Sequence, residues 1–333
     1  MSQLPFKPAW WLTNPHLQTL WPVFCRRRIK SLAPKRERVE LTDGDFVDLD
    51  WVGEGAGPIV VILHGLEGSI QSSYVQGMLH AVVKQGWRGV CMHFRSCSGE
   101  PNRLSRVYHS GETGDIAEVV HHLKQREPET PLTAIGFSLG GNVLLKWLGE
   151  TGQKNPLTAA IAVSVPFELT KAANKMNHGF SRLYQWRLLN SLCKKIKWKF
   201  QHQPAPFDMS ILSTFNTLRD FDNHITAPLH GFLDEEDYYT QSSSRPYLQH
   251  IKIPTLLLQS KDDPLVGDNG LPEQNELSAS VQLELSEKGG HVGFITGYSP
   301  LKPIYWLDQR APLFFLPYLA NSRIENQSNQ YSR

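Results

Sequence analysis

The chain has 333 residues, 40% of them hydrophobic, with 34 Lys and Arg against 32 Asp and Glu for a formal net charge of +2. That length and apolar share suit one large core rather than two domains, and the balanced charge carries no nucleic-acid signature. Cys25, Cys91, Cys97 and Cys193 form no C-x-x-C or zinc spacing, so free thiols, no metal and no cofactor are expected.

Residues 1–38 read as an aromatic and basic lead-in, with Trp10, Trp11 and Trp21 ahead of Arg26, Arg27 and Arg28, packed across the core. Pro5, Pro8, Asn14, Pro15 and His16 interrupt the apolar residues there, which argues against a signal peptide. No segment approaches the roughly 20 apolar residues of a transmembrane helix. A cytoplasmic protein, at most peripheral to a membrane, is expected. Residues 39–52 read as a hairpin around Asp43 and Gly44, opening an α/β domain that extends to about residue 320. Pro58 to Leu63 is an apolar strand that ends in His64-Gly65-Leu66-Glu67-Gly68, and residues 89–94 are another. The long loop that follows, to about Ser110, carries Arg103, Arg106, His109 and Glu112. Each is read as a packing or hydrogen-bonding group, with pocket shaping as the alternative. The pair His121 and His122 falls in a helical stretch and reads as surface.

Leu132 to Ile135 reads as a buried strand and Val143 to Leu148 as the start of a helix. Between them Gly136-Phe137-Ser138-Leu139-Gly140-Gly141-Asn142 supplies a serine at a sharp strand-to-helix turn, where glycines remove the Cβ atoms that would collide. Ser138 is therefore the candidate nucleophile. An acid and a base follow in order. Residues 253–260 form a strand that ends in Lys261-Asp262-Asp263-Pro264, and residues 281–286 form another that runs into Gly289-Gly290-His291-Val292-Gly293-Phe294. A serine hydroxyl is a poor nucleophile at neutral pH, so His291 would take its proton while an aspartate fixes the histidine tautomer. Asp263, directly before Pro264, is preferred for that role, with Asp262 as its rival. The backbone N–H groups of Leu66 and Leu139 would form the oxyanion hole.

The order Ser138, Asp263, His291 is that of an α/β-hydrolase fold: a mostly parallel sheet flanked by helices. Together with His93-Phe94-Arg95-Ser96-Cys97-Ser98-Gly99, the motifs above resemble the YheT-like branch of that superfamily, which includes membrane-associated esterases and lipases of the ABHD type. The resemblance runs from Asn14 to about Tyr318, and Ser96 stands where glycine is expected. It implies a carboxylic-ester hydrolase taking short- to medium-chain acyl esters or glycerolipids.

Residues 159–165 form the next core strand, and the sheet resumes only at Ile253. About residues 167–250 should therefore form a mainly helical cap over the active-site face. Within it, residues 181–200 place Leu183, Trp186, Leu189, Leu192 and Ile196 at helical spacing beside Lys194, Lys195, Lys197 and Lys199. A cap helix with its lysines in water is expected, with transient membrane-surface contact as the alternative. Residues 321–333 read as a disordered polar tail. An acyltransferase or thioesterase would use the same triad. A non-catalytic binding protein would have no use for it.

Overall fold

The computed structural model describes residues 4–25, 29, 32–201, 203–268 and 270–330, the stretch 320–330 as helix backbone only. Arg26, Arg27 and Arg28 lie outside the described residues, as does the end of the expected polar tail.

An eight-stranded sheet forms the centre: β1 (Lys35–Glu40), β2 (Phe46–Val52), β3 (Ile59–Leu63), β4 (Arg88–Met92), β5 (Leu132–Phe137), β6 (Ala159–Val163), β7 (Thr255–Ser260) and β8 (Val281–Ser286). The spatial order is β1-β2-β4-β3-β5-β6-β7-β8. The β1–β2 and β2–β4 pairs are antiparallel and the rest are parallel. The central strands Ile59–Leu63 and Ala159–Val163 are buried at every position, as continuous apolar runs must be when helices cover both faces. At the edge, β1 begins at Lys35, four residues before the expected hairpin. Its alternating charges pair across to β2, Arg36 with Asp50 and Arg38 with Asp48, each at 2.8 Å.

Two apolar clusters lie on opposite faces of the sheet. One takes Val119 and Leu123 of α3 (Gly114–Arg126) and Leu144 and Leu148 of α4 (Leu139–Thr151). The other takes Met78 and Leu79 of α2 (Ser73–Lys84) and Phe314 and Phe315 of the C-terminal helix Leu307–Gln330. That helix extends to Gln330, into the stretch expected as a polar tail. Between β6 and β7, where the cap was expected, lie α5 (Leu169–Met176), α6 (Ser181–Lys199), α7 (Leu218–Phe221), a π-helical turn at Asp222–Thr226, α8 (Ala227–His230) and α9 (Glu235–Ser242). The N-terminal lead-in holds α1 (Pro15–Cys25) and packs on the core, with Trp306 Nε1 donating to the Leu4 carbonyl at 3.0 Å. Among the described residues no helix is long and apolar enough to cross a membrane.

Candidate active site

Strand β5 ends at Phe137 and α4 begins at Leu139, so Ser138 alone makes the turn, with φ 52° and ψ −118°. Such a backbone is strained for any residue with a Cβ, and it persists because its surroundings over-determine it. The Ser138 N–H donates to the Val163 carbonyl at 2.8 Å and its carbonyl accepts the Asn142 N–H at 3.0 Å. The flanking glycines are required by contact. A Cβ at Gly136 would lie 2.4 Å from the Gly140 carbonyl, and one at Gly140 would lie 2.5 Å from that of His64.

His291 Nε2 lies 2.9 Å from Ser138 Oγ, and its Nδ1 lies 2.8 Å from Asp263 Oδ2. Asp263 is 1% exposed, and its Oδ1 accepts the N–H groups of Leu265 and Val266 at 2.9 and 3.1 Å. The Asp-Pro-Leu-Val turn thus binds the carboxylate to its own backbone and aims the other oxygen at the imidazole. Asp262 turns elsewhere. Its Oδ1 accepts the Gly290 N–H at 2.9 Å, and burial pushes its carboxyl above the ordinary range.

The loop holding His291 is braced from three sides. Thr19 Oγ1 of α1 accepts the His291 N–H, and Ser164 Oγ accepts that of Val292, both at 2.9 Å. Gln18, fully buried, accepts the Ile295 N–H at 2.7 Å and donates to the Ile295 carbonyl at 3.0 Å. These supports were not visible in the sequence, where the lead-in suggested packing alone. Cβ atoms at Gly290 and Gly293 would strike the Pro15 and Gln18 carbonyls at 2.5 and 2.4 Å, so both glycines mark the close approach of another segment.

The candidate oxyanion loop is equally constrained. Tyr74 Oη accepts the Gly65 N–H at 2.9 Å. The Phe94 N–H donates to His64 Nε2 at 3.2 Å, which places the ring proton on Nδ1, donated to the Gly65 carbonyl at 2.7 Å. Burial drives the His64 pKa down to about 3, so the ring stays neutral and keeps this pattern at working pH. The N–H groups of Leu66 and Leu139 donate to no acceptor among the described residues, and both residues line the cavity that holds Ser138 and His291. With Leu139 at the first position of α4, its N–H also sits at the positive end of the helix dipole.

That cavity encloses about 980 Å³ of non-protein space including its mouth. Leu169, Met176, Leu192, Ile196 and Phe221 of the β6–β7 insertion form its apolar walls, and Asp222, Thr226 and Tyr239 form a polar patch. Asp222 accepts from Thr226 Oγ1 and Tyr239 Oη, each at 2.7 Å, and burial raises its pKa to about 6. In the β4–α3 loop, Arg103 pairs with Glu40 and Arg106 with Glu112, whereas His109 lines the cavity. The expectation of lysines in water holds for Lys194 and Lys197 of α6 but not for its other two. The Lys199 side chain is buried, with Nζ donating to Asn102 Oδ1 at 2.7 Å, and its pKa falls to about 8 by burial. Lys195 turns to Glu67, with Nζ to Oε1 at 2.6 Å, and lines the cavity. Among the described residues the four cysteines are free and no cluster of metal-ligating side chains occurs.

Strand order, crossover helices and an elbow after the fifth strand define the α/β hydrolase fold. The family model described as "alpha/beta hydrolase fold" matches residues 58–298. YheT of Escherichia coli (strain K12), named as a candidate esterase, is 44% identical over 96% of this chain and 95% of its own length. Phospholipase ABHD3 of Mus musculus is 32% identical over 90% of this chain and 75% of its own. The Pf2001 esterase of Pyrococcus furiosus superposes with a TM-score of 0.57 at 17% identity, covering 87% of this chain and 94% of that one, which bears on the fold alone. The chain belongs to the α/β hydrolase fold family and, within it, to the YheT-like branch.

Proposed function

We propose that the protein is a serine ester hydrolase in which Ser138 is the nucleophile, His291 the general base and acid, and Asp263 the group that orients the imidazole. The observation that carries this reading is the unbroken line from Ser138 Oγ through both ring nitrogens to Asp263, beside an apolar cavity. Its relatives include proteins named as candidate esterase, phospholipase and monoacylglycerol lipase, names that all denote hydrolysis of an ester bond.

With the imidazole proton on Nδ1 facing Asp263, Nε2 is free to accept the Ser138 proton as Oγ attacks the ester carbonyl. The carbonyl oxygen gains negative charge, which the N–H groups of Leu66 and Leu139 receive. His291 then returns the proton to the leaving alcohol, and water resolves the acyl-enzyme by the same steps in reverse order. The apolar wall takes the acyl chain, and each buried methylene adds roughly 0.8 kcal/mol to binding. Short- to medium-chain acyl esters or glycerolipid-like molecules are the substrates this reading favours.

In the Ser138→Ala variant, fluorophosphonate labelling and hydrolysis of p-nitrophenyl esters should both disappear, with a loss of about 10⁶ in kcat and an unchanged melting temperature. Hydrolysis retained by the purified variant would remove Ser138 from the mechanism.

The reading extends to transient contact with an anionic lipid surface through the outer face of α6, where Leu183 is 50% and Trp186 63% exposed beside exposed Arg182, Arg187, Lys194 and Lys197. The protein should sediment with phosphatidylglycerol-containing vesicles and not with purely zwitterionic ones, and Trp186→Ala should weaken that binding. Equal recovery with both vesicle types would refute the contact.

A further inference from the structure

Glu67 is not needed for the chemistry just described, yet both its backbone and its carboxylate are held by specific partners. It directly follows Leu66, the proposed oxyanion donor, and has φ 57°, in the left-handed region that residues with a Cβ rarely adopt. Tyr108 Oη accepts the Glu67 N–H at 2.9 Å and donates to Glu67 Oε1 at 2.8 Å. The remaining bonds come from α6: Ser191 Oγ donates to Oε2 at 2.6 Å, and Lys195 Nζ approaches Oε1 at 2.6 Å. The Glu67 side chain is 8% exposed, so this arrangement sits largely out of water.

Helix α6 therefore carries two neighbouring stripes. Ser191 and Lys195, one turn apart, hold Glu67. Leu188, Leu192 and Ile196, also one turn apart, line the cavity beside Ser138. Burial pulls the Lys195 pKa down, but the Cys97 sulfur, 2.9 Å from Nζ, and the Glu67 carboxylate outweigh it and hold it above the ordinary value.

We propose that Glu67 is a positioning residue that couples acyl-chain binding to the oxyanion hole: a chain filling the cavity seats α6, and α6, through Ser191 and Lys195, fixes Glu67 and with it the aim of the Leu66 N–H. The inference rests on the ester-hydrolase reading. Its consequence is specific. Binding energy from the acyl chain, remote from the scissile bond, is realised in the transition state and appears in kcat as well as in KM.

The test is kcat and KM measured separately on p-nitrophenyl acetate, butyrate, hexanoate and octanoate, for the wild type, Glu67→Gln and Ser191→Ala. In the wild type kcat should rise with chain length across the series. In Glu67→Gln that rise should flatten, with kcat for octanoate down about 100-fold, the scale of a lost oxyanion donor, while acetate loses far less and KM changes little. Ser191→Ala, which removes one bond from the α6 side, should flatten the rise in part, and should add nothing when combined with Glu67→Gln. It also keeps the question answerable if Glu67→Gln fails to fold. A uniform loss across all four esters, or an effect confined to KM, would make Glu67 a purely structural partner of Lys195 and overturn the proposal. Absence of any fluorophosphonate labelling in the wild type would instead overturn the ester-hydrolase reading, so the two failures are separate.

Discussion

Asp262 and Asp263 are adjacent in the chain and differ in everything that matters to an imidazole. Asp263 spends one oxygen on two backbone N–H groups of its own turn and offers the other to His291 Nδ1 at 2.8 Å. Asp262 braces the loop of His291 from behind, through the Gly290 N–H. Asp263→Asn should therefore cost on the order of 10⁴ in kcat, because an amide no longer selects the productive tautomer. Asp262→Asn should cost far less, and a reversed ranking measured on one ester would reassign the acid. A third carboxyl gives a test in pH. Asp222 titrates at about 6 in the folded protein, above the ordinary aspartate value of 3.8. Between those two pH values the folded state holds a proton that the unfolded chain has released, so this group lowers stability as pH rises through the window. Asp222→Asn removes this titrating group. The fall in melting temperature from pH 4 to pH 6.5 should be smaller in the variant than in the wild type, and identical slopes would mean that the carboxylate is solvated through the cavity mouth.

At the level of elements, the strands and the elbow were legible because the physics that makes them is local. An apolar run buried on both faces reads as a parallel strand, and glycines around a serine read as a turn with no room for Cβ atoms. The choice between Asp262 and Asp263 was only half legible, since consecutive residues at a strand end face different ways and sequence shows spacing rather than direction. The role of α1 was not legible at all. Thr19 and His291 are 272 residues apart, and nothing in Asn14-Pro15-His16-Leu17-Gln18-Thr19 shows that its polar side chains close onto the loop of His291. Nor did helical spacing show that α6 would turn Lys195 and Lys199 inward, because their partners Glu67 and Asn102 lie in loops more than 90 residues away. Thr19→Val tests the α1 contact. It keeps the shape of the side chain but leaves the His291 N–H without its acceptor, a loss of about 1–3 kcal/mol. Melting temperature and kcat should fall together while KM holds. Unchanged kcat would mean that the bonds at Val292 and Ile295 suffice to place the ring.

For the molecule as a whole, the question is what joins the sheet to the helical insertion that walls the cavity. Asn142, in the first turns of α4 and fully buried, reaches from the elbow into both. Its Nδ2 donates to the carbonyls of Ser110 and Ser242 at 2.9 and 2.7 Å, and its Oδ1 accepts the Ser244 N–H at 2.9 Å. One side chain thus ties the loop after β4 and the C-terminal end of α9 to the helix that follows Ser138. Asn142→Ala leaves these buried backbone groups unpaired at about 1–3 kcal/mol each, which should lower the melting temperature by about 5–10 °C. Because the lost bonds lie at the seam, the loss should not be uniform. Limited proteolysis of the variant should cut first within residues 167–250, while the sheet strands stay protected, and KM for long-chain esters should rise as the apolar wall loosens. If cleavage instead began in the core strands, or followed the wild-type pattern at a faster rate, the insertion would be one cooperative unit with the sheet, and the 167–250 cap would have no separate stability of its own.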